Sequence, residues 1–188
     1  MLLLIPAILA CIVALLRGGS VRRLATLRVR GSTLILASLA IQLLIYTPAL
    51  RHSPLVLGWA APIYLVALTL ALVGMLRNWH LGMSLRLASI GLILNLTVII
   101  LNGGHMPVNA ASLRTIQGEA KVQELQDPHT YGNTRLAGPS SYLVVLSDII
   151  PVPMPDGRGN VYSFGDMLIA SGVALLVYRA VRGSLAPA

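Results

Sequence analysis

Two carboxylates, Asp148 and Asp166, are the side chains of this sequence best suited to chemistry. The link at 151–159 between them is rich in Pro and Gly, so the chain doubles back and both acids are expected near one membrane surface. Two carboxylates in a partly apolar site do not ionise together easily. One proton is then shared, which suits general acid–base activation of water on an amide. Both residues also have plainer roles. Ser163-Phe164-Gly165-Asp166 is a Ser-x-x-Asp capping box, in which the acid also complements the helix dipole. Asp148, beside Ser147, suits a loop or cap acid.

A second candidate is the string Asn102-Gly103-Gly104-His105-Met106-Pro107. Two glycines let backbone N–H groups turn toward an anion, and the same string describes a helix C-cap followed by a Pro-terminated turn. A third is a polar stripe: Ser84, Ala88, Gly91, Asn95 and Asn102 recur at helical spacing and share a face. Small and amide residues on one face favour helix–helix contact in lipid, with a polar ligand path as the other reading. Gln42 is the expected partner of Asn95. Asn95 and residues 102–107 are therefore candidate binding residues. His105, Asp127 and His129 show no recurrent ligand spacing, so no metal and no other cofactor is expected. The lone Cys11 can form neither an internal disulfide nor a cysteine cluster. His52 and His80 read as interfacial loop residues; Trp59, Tyr64, Trp79, Tyr131, Tyr142 and Tyr162 read as interfacial anchors.

The elements that must position these residues follow from composition. Of 188 residues, 56% are hydrophobic and 11% charged, against about 25% charged in soluble domains. Apolar runs at 1–16, 32–50, 55–76, 85–101 and 164–181 read as five spanning helices, although a bilayer core asks for roughly 20 residues of helix and the first and fourth runs are short. No basic residue precedes the first run and no cleavage pattern follows it, so it is expected to stay as a helix. The expected fold class is all-α: an integral membrane helical bundle forming one domain over 1–188, with an extracytoplasmic cap at 102–163. Within the cap, 110–126 reads as a surface helix weakened by Gly118, and 127–141 as loop. Residues 142–150 are too short to span and read as an interfacial or re-entrant piece.

The net charge of +8 is segregated along the chain. Arg17, Arg22, Arg23, Arg28, Arg30, Arg77, Arg86, Arg179 and Arg182 fall on one side of the predicted topology, and all six acids on the other. Positive charge prefers the cytoplasmic side, so the N-terminus is expected outside and the C-terminus inside, in a plasma (inner) membrane. This distribution follows helix ends rather than a basic stripe, and argues against a nucleic-acid partner. The bilayer is the expected partner, together with a lipid, a peptide or another membrane protein at the cap.

Three strings carry a resemblance that covers almost the whole chain: Asn-Gly-Gly-His-Met-Pro-Val at 102–108, Leu-Ser-Asp-Ile-Ile-Pro at 146–151 and Tyr-Ser-Phe-Gly-Asp-Met-Leu-Ile-Ala-Ser-Gly at 162–172. Together they resemble an uncharacterised family of bacterial multi-pass membrane proteins, domain-of-unknown-function family 5317. That resemblance implies that the strings belong together and implies no activity. A local one, Asp148 followed by Tyr162-Ser163-Phe164-Gly165-Asp166 and Gly172, is similar to the end of lipoprotein signal peptidases, which are membrane aspartyl proteases. It implies Asp148 and Asp166 as a catalytic pair. Ser163 stands where that pattern has Asn, Gly165 where it has Ala, and its Gly-Asn-x-x-Asp-Arg string is absent. An unassigned binding role and a membrane aspartyl hydrolase thus stand as the two readings of function.

Overall fold

The computed structural model describes residues 4–45, 47, 54–126, 132–154 and 159–185, without the side chains of 54–58. Arg51, His52, Asp127, His129, Tyr131, Asp156 and Arg158 lie outside the described residues. The fold is mostly helical. Helices α1 (Leu4–Leu16), α3 (Ser32–Ile45), α4 (Pro54–Leu76), α5 (Met83–Leu101) and α7 (Phe164–Arg182) occupy the five apolar runs. A single turn, α2 (Arg22–Ala25), lies in the basic connection. Three stretches, Trp59–Leu76, Met83–Leu101 and Phe164–Arg182, are long and apolar enough to cross a membrane, whereas α1 and α3 are shorter.

The fold is not purely α. Among the described residues, four three-residue strands lie between α5 and α7: β1 (Met106–Val108), β2 (Thr134–Leu136), β3 (Ile150–Val152) and β4 (Asn160–Tyr162). β1 pairs in parallel with β2, and β3 antiparallel with β4. A further parallel bridge joins Val108 to Asp148. Residues expected as loop at 134–136 are therefore a strand. Their type hides this, because Thr-Arg-Leu pairs through its backbone with a partner remote in sequence. Helix α6 (Ala110–Gln126) covers these pairs and is broken at Gly118, whose backbone is non-helical. Leu113, Val122 and Leu125 of α6 form a buried cluster with Val108 of β1 and Val161 of β4.

The long helices pack in the spatial order α3, α4, α5, α7, α1. Between α5 and α7 the backbones nearly touch. A Cβ on Gly165 would overlap Asn95 Oδ1 and stand 2.6 Å from the Gly91 carbonyl oxygen; one on Gly172 would stand 2.6 Å from the Ala88 nitrogen. No other residue type fits at these positions without moving a helix. The polar stripe is thus a packing seam from Ser84 to Asn95, while Gln42 bonds Ser38 on its own helix (3.0 Å) rather than Asn95. Gln42 lies on α3, which packs on α4, so it is on the wrong side of the row to reach α5's seam.

Two asparagine side chains fasten the bundle ends. At the arginine-rich end, buried Asn78 accepts from the Arg30 N–H (2.7 Å) and donates to the Arg30 carbonyl (2.6 Å). At the cap end, Asn102 accepts from the Tyr142 N–H (2.9 Å) and donates to its carbonyl (3.0 Å). Each amide imitates a strand partner for one residue of remote chain.

Overpacking a close helix contact costs about 1–3 kcal/mol. Gly91→Ala and Gly165→Ala should each lower stability by that amount, whereas Gly138→Ala, which meets open space, should change it by less than about 0.5 kcal/mol. Thermal unfolding in detergent would check this, and equal effects at all three sites would contradict the seam.

Candidate functional site

Helix α7 begins at Ser163, a buried N-cap whose sequence makes a full capping box. Ser163 Oγ accepts from the Asp166 N–H (3.0 Å), and Asp166 Oδ2 accepts from the Ser163 N–H (3.1 Å). Asn95 of α5 closes the network. Its Nδ2 donates to Asp166 Oδ1 (2.8 Å), and its Oδ1 accepts from the Ser163 hydroxyl (2.9 Å). Both carboxylate oxygens of Asp166 are therefore engaged by donors. The plainer reading of Asp166 describes its contacts, with one addition: the cap is also an interhelical lock.

Asp148 reaches the same region from the cap. Its backbone donates to the Pro107 carbonyl (3.0 Å) and accepts from the Asn109 N–H (2.9 Å), which sets it beside β1. Asp148 lines a cavity of about 200 Å³ under α6, with Gln117, Lys121, Asn133 and Asn160 as polar neighbours. Val108, Leu113, Leu125 and Val161 supply the apolar wall. Burial, reinforced by the negative charge of Asp166, pushes the Asp148 carboxyl up to about 8. The two acids are thus brought within electrostatic reach of each other, and Asp148 holds a proton at neutral pH.

Tyr64 of α4 shares a side-chain hydrogen bond with Asn133 and lies within electrostatic reach of both acids. It packs against the bundle core rather than standing at an interface. Tyr162, expected as an anchor, is buried as well, and burial raises its phenol above the ordinary range. Sequence reading missed both because a tyrosine beside apolar residues looks alike whether its ring faces lipid or core.

The 102–107 string forms no anion nest. Gly103 N–H donates to the Ile100 carbonyl (3.2 Å) and Gly104 N–H to the Ile99 carbonyl (2.8 Å), so both close the end of α5. Gly104 also lies against Ala61 of α4, where a Cβ would meet the Ala61 Cβ at 2.6 Å. Met106 and Pro107 are buried in β1. His105 lines a separate cavity of about 300 Å³ with Asn102, Pro107 and Arg135. Burial, then the positive charge of Arg135, lowers the His105 imidazole below its ordinary range. Among the described residues no three His, Cys, Asp or Glu side chains converge as a metal site.

A family model described as a family of unknown function (DUF5317) matches residues 26–178, a span that contains all three strings. An uncharacterised protein of Thermotoga maritima is 32% identical over 110 residues, which is 58% of this chain and 60% of that protein. The chain thus spans 60% of the length of the curated relative it matches. No solved structure matches it.

The raised Asp148 carboxyl has a sign for stability. The folded state holds a proton that the unfolded chain releases near the ordinary carboxyl value of 3.8, so stability falls as pH rises from about 4 to about 8. Asp148→Asn should flatten that fall and exceed the parent at pH 8.5 by on the order of 1 kcal/mol or more. Unfolding at pH 5 and pH 8.5 reads it, and identical slopes would contradict a buried, protonated Asp148. Asn95→Ala, which strips partners from Ser163 and Asp166, should cost about 1–3 kcal/mol at either pH.

Proposed function

We propose that this chain, which belongs to the DUF5317 family of unknown function, is a five-span protein of the plasma (inner) membrane whose extracytoplasmic cap binds a peptide segment of a partner. The observation that carries the binding role is the cavity under α6. The Gln117 amide is oriented there by donating to the Gly159 carbonyl and to Asn160 Oδ1 (both 3.1 Å), which leaves its Oε1 to accept from a peptide N–H, and a neutral Asp148 adds a donor without a charge. The apolar wall accommodates a side chain.

The membrane reading is supported by the three long apolar helices and by the exposed faces of α1 and α3, where Leu9, Leu16, Leu36 and Leu43 are all more than half exposed. At 13 and 14 described residues these two helices extend about 20 Å, less than a bilayer core of about 30 Å. Nine arginines at one end and the acids toward the other favour N-terminus out and C-terminus in. In a Cys11→Ser background, Thr115→Cys and Gly138→Cys should react with an impermeant maleimide in intact cells, and Arg28→Cys only after permeabilisation. The reverse pattern overturns the orientation.

For the peptide role, full-length protein in nanodiscs should enrich binders from a random peptide display library. Gln117→Leu, which removes that acceptor, and Asn160→Leu, which releases the Gln117 amide, should each weaken them about 3- to 10-fold, the loss of one net hydrogen bond. Binders indifferent to both changes would count against the cavity.

A membrane aspartyl hydrolase is the second reading, favoured by the electrostatic proximity of Asp148 and Asp166. Against it, Asp166 has both oxygens engaged and is not among the described residues lining the cavity. Asp148→Asn and Asp166→Asn separate the two. Loss of a deletion phenotype at normal protein level with Asp148→Asn supports hydrolysis; a retained phenotype supports binding.

A further inference from the structure

At the cap end of α5 the second cavity, about 300 Å³, is bounded by Asn102, His105, Arg135, Ser140, Ser141 and Tyr142. Among the described residues its polar lining has Arg135, His105, Ser140 and Ser141 and no carboxylate, while the Asn102 amide is engaged by the Val98 and Tyr142 carbonyls. Arg135 is held in position, its Nη1 donating to the Thr134 carbonyl (3.1 Å). Ser141 Oγ accepts from the Gly138 N–H (3.0 Å), which leaves its own proton available to donate. Such a donor set, centred on arginine, matches the oxygens of a phosphate.

The neighbouring surface has a different character. Leu101 and Tyr142, which line the cavity, are 48% and 61% exposed, and Leu143 and Val145, next along the chain, 44% and 71%. Leu143 takes the left-handed region at φ 52°, uncommon for a leucine, and a 3₁₀ turn at Val144–Leu146 follows. The Asn102 clamp on the neighbouring Tyr142 holds the chain there. The result is a polar cavity beside a raised apolar edge, immediately beyond the last turn of a membrane-length helix. Phosphate and hydrocarbon meet at that depth in a bilayer.

We propose that this cavity holds the phosphodiester of an anionic phospholipid of the outer leaflet, with Arg135, Ser140 and Ser141 on its oxygens and Leu101, Tyr142 and Val145 along its acyl chains. A free phosphate would have no use for the apolar surface. The site is distinct from the cavity under α6 and rests only on the part of the reading above that sets the cap at the outer membrane surface, which the maleimide labelling tests separately.

The test uses full-length protein in nanodiscs with a phosphatidylglycerol bearing a diazirine in its acyl chain, and maps crosslinked peptides by mass spectrometry. Crosslinks at 101 and 142–145 should be competed by phosphatidylglycerol about tenfold better than by diacylglycerol of the same chains, and should not be competed by millimolar glycerophosphate. Arg135→Gln and Ser140→Asp should each reduce them about tenfold, the loss of one charge-assisted bond or the addition of a repelling charge. Arg114→Gln, on α6 and ion-paired with Glu119, should leave them unchanged. Crosslinks at the arginine-rich end report intact folding, and Ser140→Asp decides if Arg135→Gln fails that control. Equal competition by diacylglycerol, persistence of the crosslinks in Ser140→Asp, or competition by glycerophosphate would each overturn the assignment, the last by showing a free-anion site.

Discussion

The close approach of α5 and α7 is the constraint on which the rest depends. Gly91, Gly165 and Gly172 let the two backbones meet, and the Asn95, Ser163 and Asp166 hydrogen bonds fix where along their length they do so. In the proposed membrane setting there is little hydrophobic force to bring helices together, so close packing and satisfied polar groups would do it. The network also starts α7 at a defined point, because the acid that caps it is the one that grips α5. Helix α1 packs on α7 and α4 on α5, so the row of helices is arranged around this seam.

The cap inherits its position from the same contact. Its chain leaves at the end of α5 and returns at the start of α7, and the seam holds these two points together. The clamp of Asn102 on Tyr142 and the bridge of Val108 to Asp148 then draw its middle inward. Asp148 comes near Asp166 as a consequence. The buried charge this would create is avoided by keeping Asp148 protonated, a state that a binding cavity tolerates as readily as a catalytic one. Two cavities of the cap open from this arrangement, one roofed by α6 and one beside the apolar surface at Leu143.

Much was readable from residue order. The apolar runs located five helices to within a few residues, apart from α3, which is described only as far as Ile45, because helix periodicity and length are local properties. The capping box was readable for the same reason. The small-residue stripe marked a packing face, but its partner was misassigned to Gln42, since a stripe says that a face is buried and not against what. The strand at Thr134–Leu136 was missed because short strands are made by remote backbone partners rather than by their own side chains. Tyr64 and Tyr162 were missed as inward residues because exposure to lipid and burial in protein call for the same ring.

The sequence by itself determined the mostly helical class, the segregation of arginines from acids, the start of α7 and the pairing of Asp148 with Asp166 as residues of interest. The helical class and the start of α7 depend on residues adjacent in the chain or one helical turn apart, and the other two on residue type and order along it. Only the tertiary structure decided that Asp166 is locked to Asn95 while Asp148 faces a cavity, that the glycines of 103–104 close a helix instead of facing a ligand, and that Arg135 joins His105, Ser140 and Ser141 around one space. These are meetings of segments tens of residues apart. Their geometry follows from how closely two helices can approach, which no local pattern of residues contains.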